Sequence, residues 1–252
     1  MIIIKSDNEI EQMRIAGRIT AEAIEKAGEH IAPGVTTADL DKIIHDYMIR
    51  CGARPSFLKL YGFPASACIS VNDEVIHGIP SKRRHLLEGD IVSIDAGACY
   101  NGFHGDSTKT FFVGHVADNA AKLVKVTQES FYEGLKYARP GYRIGDIGAA
   151  IERYATGFGY TIVRDFVGHG VGRELHEEPE VPNFGTAGRG ARLEKGMTIA
   201  IEPMINEGIP DVKVSDNDWT VFTVDGKLSA HYEHTVLITD GEPEILTKRS
   251  DE

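Results

Sequence analysis

The segment Asp90-Ile-Val-Ser-Ile-Asp-Ala-Gly-Ala-Cys-Tyr-Asn-Gly-Phe-His-Gly-Asp106 decides how this chain is read. Asn101-Gly102, flanked by strand-forming residues, favours a two-residue type I′ turn and so marks the tip of a hairpin. Tyr100 then faces Phe103, and Gly97 faces Asp106. Asp95 lies two residues from Gly97 and so shares its face of the strand. Asp95 and Asp106 become diagonal neighbours, about 7–8 Å apart. That spacing suits two carboxylates sharing a pair of metal ions about 3.5–4 Å apart. Asp is depleted in strands, and Ile91-Val92-Ser93-Ile94 is otherwise a buried-strand pattern. An acid buried there needs a partner or a cation, because an isolated buried carboxylate is very costly. The bland alternative is that Asp95 starts a turn and Asp106 lies on the surface.

Working outward, the residues before the hairpin read as two helices. Ser6 and Glu9 fit a capping box. Ile10, Met13, Gly17, Thr20, Ala23, Ile24 and Ala27 follow as a helical stripe, which Pro33-Gly34 ends. Thr36 and Asp39 open a second helix with an apolar face of Leu40, Ile43, Ile44, Tyr47, Met48 and Cys51, stopped by Gly52. The plan recurs 107 positions later. Pro33-Gly34 matches Pro140-Gly141, Asp39-Leu40 matches Asp146-Ile147, Ile44 matches Ile151, Tyr47 matches Tyr154, and Gly52 matches Gly159. Leu86, Gly89, Ile94 and Asp95 fall on Leu193, Gly196, Ile201 and Glu202. His77-Gly-Ile-Pro80 and His176-Glu-Glu-Pro179 are both His-x-x-Pro, offset by 99. The expectation is one domain over residues 1–252, with a repeat of roughly 6–110 and 117–240. Its two pseudo-twofold halves are α+β rather than doubly wound, and a site between them takes ligands from each.

Other acids sit in similarly apolar surroundings. Glu202, the repeat mate of Asp95, is the one acid in Met197-Thr-Ile-Ala-Ile-Glu-Pro-Met-Ile205, which reads as an apolar strand, and Glu233 lies in the strand-like run Ala230-His-Tyr-Glu-His-Thr-Val-Leu-Ile238. Taken alone, Glu233 or His234 reads as an edge-strand surface residue. His169 and His176 lie in Gly168-His-Gly-Val-Gly-Arg-Glu-Leu-His-Glu-Glu-Pro179, a glycine-rich stretch without helical periodicity. A neutral imidazole there suits a divalent metal or a substrate. His30 and His45 read as helix-surface residues and His104 as a hairpin residue. The Gly168–Gly172 run is not a phosphate loop, lacking GxxxxGK[ST] and GxGxxG before a helix. Four carboxylates with one or more imidazoles suit Mn, Fe or Co at least as well as zinc and do not match a structural zinc site. Such a pair of ions equips a protein for hydrolysis at a carbonyl or phosphoryl centre.

Composition agrees with an ordinary globular chain of 252 residues, 42% hydrophobic and 26% charged. The net charge of −11 lacks the footprint of a duplex nucleic-acid binder. No apolar run reaches the length of a transmembrane helix, and the first residues do not make a secretory signal. Three cysteines without a CxxC spacing argue against a disulfide framework or zinc knuckle. The chain reads as cytoplasmic.

With these residues in view, the sequence resembles the bacterial-type, type I methionine aminopeptidases of the pita-bread (creatinase/aminopeptidase) metallopeptidases. The likeness runs from the first helix to about Ile245. It is carried by Ala67-Cys-Ile-Ser-Val-Asn72, Val75-Ile-His-Gly-Ile-Pro80, Gly102-Phe-His-Gly-Asp106, Gly168-His-Gly-Val-Gly-Arg173, His176-Glu-Glu-Pro179, Ile201-Glu-Pro-Met204 and Tyr232-Glu-His234. It implies a curved antiparallel sheet with outer helices and internal twofold symmetry. By position, Asp95, Asp106, His169, Glu202 and Glu233 correspond to ligands of two divalent ions (Co, Mn, Fe, Ni or Zn), Asp106 and Glu233 bridging both. The resemblance further implies attack on the scissile carbonyl by a metal-bridged water, with Glu202 as proton shuttle, His77 toward the scissile nitrogen and His176 toward the carbonyl oxygen. The backbone carbonyls of Asn72, Glu74 and Ser229 correspond to a Na or K site. Phe63, Cys68 and Trp219 match the lining of the methionine pocket. Leu60 and Leu175 stand where relatives often carry aromatics, and Phe57 where they often carry Cys. The family function this implies is removal of the initiator methionine from nascent polypeptide N-termini, with a small second residue, by a monomer. Ribosome docking fits that function, although no basic stripe announces it. With the first helix opening at Ser6, no room is expected for the additional N-terminal domain of prolidase, aminopeptidase P and creatinase. A non-catalytic binding protein of the same fold and a metallophosphatase are the rival classes.

Overall fold

The computed structural model describes residues 1–250 and residue 252. The first half runs α1 (Asp7–Gly28), α2 (Thr37–Arg50), β1 (Arg54–Pro55), β2 (Ala67–Val71), β3 (Glu74–Ile76), β4 (Ile91–Tyr100) and β5 (Phe103–Phe112). The second runs α3 (Asp118–Leu135), α4 (Ile144–Gly157), β6 (Thr161–Ile162), β7 (Gly168–Gly170), β8 (Glu177–Val181), β9 (Thr198–Ile201) and β10 (Met204–Asn206). It continues with β11 (Val212–Val214), β12 (Val221–Thr223), β13 (Ser229–His231), β14 (Glu233–Leu237) and β15 (Glu244–Ile245). One antiparallel sheet crosses both halves in the order β1-β4-β5-β14-β9-β7-β8, with β2 on β4 and β15 on β14. The helices pack against it from outside, α1 lying over β4 and β5.

The hairpin forms as its sequence demands. Asn101 (φ 48°) and Gly102 (φ 80°) take the left-handed pair that a type I′ turn needs. Tyr100 pairs with Phe103 and Gly97 with Asp106. The stripe of α1 is buried throughout, and Leu40, Ile44 and Met48 of α2 are completely enclosed. Burying each such side chain contributes about 1.5–3 kcal/mol.

The 107-residue correspondence extends to structural detail. Thr37 and Ile144 begin α2 and α4, and Arg50 and Gly157 end them, the same distance apart. The bridge between Thr36 and His85 is repeated by Arg143 and Arg192. The Tyr47 hydroxyl donates to Glu22 at 2.7 Å, and Tyr154 to Glu129 at 2.8 Å. Each half has its own core, one built on α1, α2, β2 and β4, the other on α3, α4, β9 and β14.

Several details differ from the sequence reading. Helix α1 stops at Gly28, ahead of Pro33, where a Cβ would stand 2.5 Å from the Phe111 ring. His45 is half-buried with its Nδ1 2.9 Å from the Ser66 hydroxyl, so it is not a plain surface residue. The run Met197–Ile205 is two strands, not one, because Pro203 has no N–H to continue the ladder. Glu202 sits at that break. Ala230–Ile238 also divides, at Tyr232, into strands of different sheets.

Helix α1 lies unusually close to β5. The Thr20 hydroxyl donates to the Gly105 carbonyl at 3.0 Å and accepts the Ala98 N–H at 3.0 Å. A Cβ on Gly105 would approach the Gly17 Cα to 2.7 Å, and one on Gly17 would meet the Leu246 carbonyl oxygen at 2.3 Å. Ala gains about 1 kcal/mol over Gly in a free helix, but here it collides with backbone. Gly17→Ala is therefore expected to destabilise by about 1–3 kcal/mol net, read as a lowered Tm; an unchanged or raised Tm would contradict this packing.

Candidate active site

Three neighbouring strands bring the acids together. Asp95 of β4 lies opposite Thr108 of β5, and Thr108 opposite Glu233 of β14. The Thr108 hydroxyl donates to Glu233 Oε2 at 2.8 Å. Asp106 is clamped by Thr235, whose hydroxyl accepts the Asp106 N–H and donates to its carbonyl, both at 2.9 Å. β7 runs beside β9 and carries His169 between two glycines. A Cβ on Gly168 or Gly170 would stand 2.3 Å from a neighbouring carbonyl oxygen, so only glycine lets β7 approach this closely. Ligand atoms of Asp106, His169 and Glu233 all lie within 4.8 Å of one another. His169 Nε2 is 3.5 Å from Glu202 Oε1 and 3.7 Å from Asp106 Oδ2. With Asp95, these residues line one cavity of about 550 Å³.

The electrostatics of this cluster need positive charge. Oδ1 of Asp95, Oδ1 of Asp106 and Oε1 of Glu233 are buried without a hydrogen-bond partner. Burial, then repulsion by neighbouring carboxylates, holds Asp106, Glu202 and Glu233 well above the usual carboxylate range. Burial pushes Asp95 up to about 6. No Lys or Arg lines the cavity among the described residues. Burial, helped by His176, lowers His169 to about 3, which leaves its imidazole neutral and able to offer a lone pair. Oxygen-rich donors with one imidazole and unpaired buried oxygens fit divalent cations.

Both further histidines reach the same cavity. His77 follows β3 in a left-handed conformation (φ 58°) and meets Phe166 and Trp219 edge-on. Burial lowers it to about 4, and burial also lowers His176. His176 lies edge-on to His169 at 4.4 Å between ring centroids. Its loop is anchored by an enclosed ion pair between Lys5 and Glu177 at 2.6 Å, with the Arg173 N–H donating to the other Glu177 oxygen at 2.8 Å.

The six pocket residues read from the sequence form one apolar cluster. Phe57, Phe63, Cys68 and Leu175 are buried, with Leu60 and Trp219 packed against them. Cys68 stands opposite Asp95 in the β2–β4 ladder, so this cluster adjoins the carboxylates directly. Asn72 and Ser229 also meet, through a Ser229 N–H that donates to the Asn72 carbonyl at 2.9 Å. Glu74, two residues on, uses its side chain to accept the Val71 N–H.

Three results go beyond or against the sequence reading. Glu233 and His234 are buried on an inner strand, not at a surface edge. His234 turns away from the cavity, with its ring nitrogens against Thr247, Tyr232 and Arg249. His231, given no role from the sequence, is 2% exposed, its Nε2 unpaired and 3.6 Å from Glu202 Oε2. The Glu202 carboxylate thus has His169 on one oxygen and His231 on the other. The signal available was a histidine two residues before an in-strand acid. Tyr61, also unassigned, stacks on His176.

The profile of metallopeptidase family M24 matches residues 11–240, and the chain belongs to that family, which makes it a hydrolase. Within the family it falls in the bacterial type I methionine aminopeptidase group. It is 56% identical to a methionine aminopeptidase of Clostridium acetobutylicum over 98% of this chain and 99% of the relative. It is 43% identical to that of Escherichia coli over 100% and 96%. The crystal structure of methionine aminopeptidase from Thermotoga maritima superposes with a TM-score of 0.97 at 45% identity, covering 99% of this chain and 100% of that one. Prolidase from Pyrococcus furiosus shares the fold at TM-score 0.80 and 28% identity, over 98% of this chain and 66% of the longer prolidase.

The raised carboxyls fix the sign of a pH effect. They bind protons more tightly folded than unfolded, so their stabilising contribution to the metal-free protein is present at low pH. It is lost as pH rises through the folded values, about 6 for Asp95. A divalent ion competes with those protons. Apparent Mn(II) affinity is expected to rise from about pH 5 to 7, roughly tenfold per unit for each proton displaced. Calorimetry in two buffers of different ionisation enthalpy should show proton release. An affinity independent of pH would contradict this site.

Proposed function

We propose that this chain removes the N-terminal methionine from nascent polypeptides, preferring a small second residue. The observation that carries the reading is the junction of two environments in one cavity. Asp106, His169 and Glu233 converge within 4.8 Å beside an apolar cluster of Phe63, Cys68, Leu175 and Trp219. An unbranched thioether side chain suits such a sulfur-tolerant wall. Asp95, Asp106, His169, Glu202 and Glu233 would hold two divalent ions (Co, Mn, Fe, Ni or Zn). Such ions supply an acidified water and polarisation of the scissile carbonyl.

The remaining steps belong to the chain's own residues. Glu202 accepts the proton that the attacking water gives up and returns it to the leaving amine, a role open to a carboxylate placed beside the ions. His77 donates toward the scissile nitrogen, and His176 toward the carbonyl oxygen as negative charge grows there. Burial lowers His77 to about 4, which leaves it neutral with one N–H to donate, and His176 is shifted in the same direction. The Phe57, Leu60, Phe63, Cys68, Leu175 and Trp219 cluster takes the methionine side chain. The reading extends to a single catalytic domain, working as a cytoplasmic monomer on chains leaving the ribosome, with one Na or K ion near Asn72, Glu74 and Ser229. No described helix is long and apolar enough to cross a membrane.

Hydrolysis of Met-Ala-Ser with added Co(II) or Mn(II) tests the reading. Release of free methionine is expected, and no turnover with any divalent metal would overturn it. Glu202→Gln is expected to lower kcat by about 10²–10⁴ while the Tm of the metal-free protein does not fall, since an amide carries no charge to bury. Near-normal kcat in that variant would remove Glu202 from proton transfer.

A further inference from the structure

Tyr61 has no part in the roles above, yet its ring lines the same cavity. It lies in a single helical turn, Leu60–Gly62, whose neighbours Leu60 and Phe63 turn inward to the apolar cluster. Tyr61 itself stays outside that cluster and is 77% exposed. The backbone that holds it there is unusual. Lys59 (φ 69°), Tyr61 (φ 50°) and Gly62 (φ 94°) are all left-handed. Glycine accepts that conformation freely, but for Lys and Tyr it is strained and persists only where the surroundings enforce it. Here a ladder of short backbone bonds does so. The Lys59 N–H donates to the Phe63 carbonyl at 2.9 Å, Leu60 to Phe57 at 2.9 Å, and Phe63 to Leu60 at 2.8 Å.

The enforced turn aims the ring at His176. The two rings are 6.0 Å apart between centroids and 10° from parallel. Tyr61 comes from the first half and His176 from the second, so the pair spans the mouth of the cavity. If the methionine side chain fills the apolar cluster and its carbonyl lies against His176, the peptide beyond that carbonyl leaves past the Tyr61 ring. We propose that Tyr61 is a specificity-determining residue whose ring packs on the substrate residue following the methionine. This inference rests on the aminopeptidase reading of the same cavity and adds the group that contacts the second residue.

The test compares Met-Ala-Ser with L-methioninamide, which has no second residue, in the Co(II)-loaded enzyme. Glycine suits the left-handed position, so Tyr61→Gly is expected to keep or raise the Tm. It should raise KM for Met-Ala-Ser about three- to tenfold with kcat within about twofold, the pattern of lost uniform binding by one aromatic contact. KM for L-methioninamide and Co(II) affinity by calorimetry should stay within about twofold of wild type. Tyr61→Phe keeps the ring and should match wild type on both substrates. Unchanged KM for Met-Ala-Ser in Tyr61→Gly, an equal rise on both substrates, or altered Co(II) binding would each overturn the inference while leaving the aminopeptidase reading intact. A wild type that cleaves neither substrate overturns both.

Discussion

Asp95, Asp106, Glu202 and Glu233 share one cavity that no Lys or Arg lines among the described residues. The other features of the active site follow from that constraint. Three of their oxygens are buried without a partner; burial holds protons on all three groups, and repulsion reinforces it at Asp106 and Glu233. An apolar core would be cheaper than such a cluster. The arrangement makes sense as a cradle for cations, in a chain that belongs to a metallopeptidase family.

The doubled fold is what brings these groups together. Asp95 and Asp106 arrive on the hairpin of the first half, His169 and Glu233 on strands of the second, and Glu202 at the break between β9 and β10. The halves join where β5 pairs with β14, opposite Thr108 and Ser107. That seam is braced from behind. Arg249, 2% exposed, donates to the Ser107 hydroxyl and to Glu252, both at 2.8 Å, while Ser107 donates to the Glu233 carbonyl at 2.7 Å. The Arg249 and His234 partners hold the Glu252 carboxyl well below its ordinary range despite its burial. Breaking a buried pair of this kind leaves an uncompensated charge, so the brace resists loss of either member.

Histidine chemistry around the cluster is set by burial more than by charge. His77, His169 and His231 are all held neutral, at about 4, 3 and 4. The neutral form leaves one nitrogen free to accept or ligate and the other to donate. The apolar cluster begins one strand away, at Cys68 opposite Asp95, so the same ladder of backbone hydrogen bonds positions the cluster and the carboxylates.

Much of this was legible before folding. The Asn101-Gly102 turn set the hairpin register because two left-handed residues in succession admit few alternatives, and that register put Asp95 and Asp106 on one face. The 107-residue repeat was legible because helix caps and glycine turns are local signals. Glu202, Glu233 and His169 stood out by their own settings, and the resemblance supplied the roles proposed for them. The sequence did not show that Glu202 sits at a break between strands, nor that Ala230–Ile238 divides at Tyr232. Strand ends depend on which sheet the chain joins next, and apolar periodicity does not report that. His231 and Tyr61 were missed for the same reason. One is buried against Glu202 and the other exposed against His176, and both contacts span residues far apart in the chain. Local propensity and pattern determined the elements and their acids. Only tertiary packing decided which oxygens lack partners, because burial and long-range proximity exist only once the two halves close on one another.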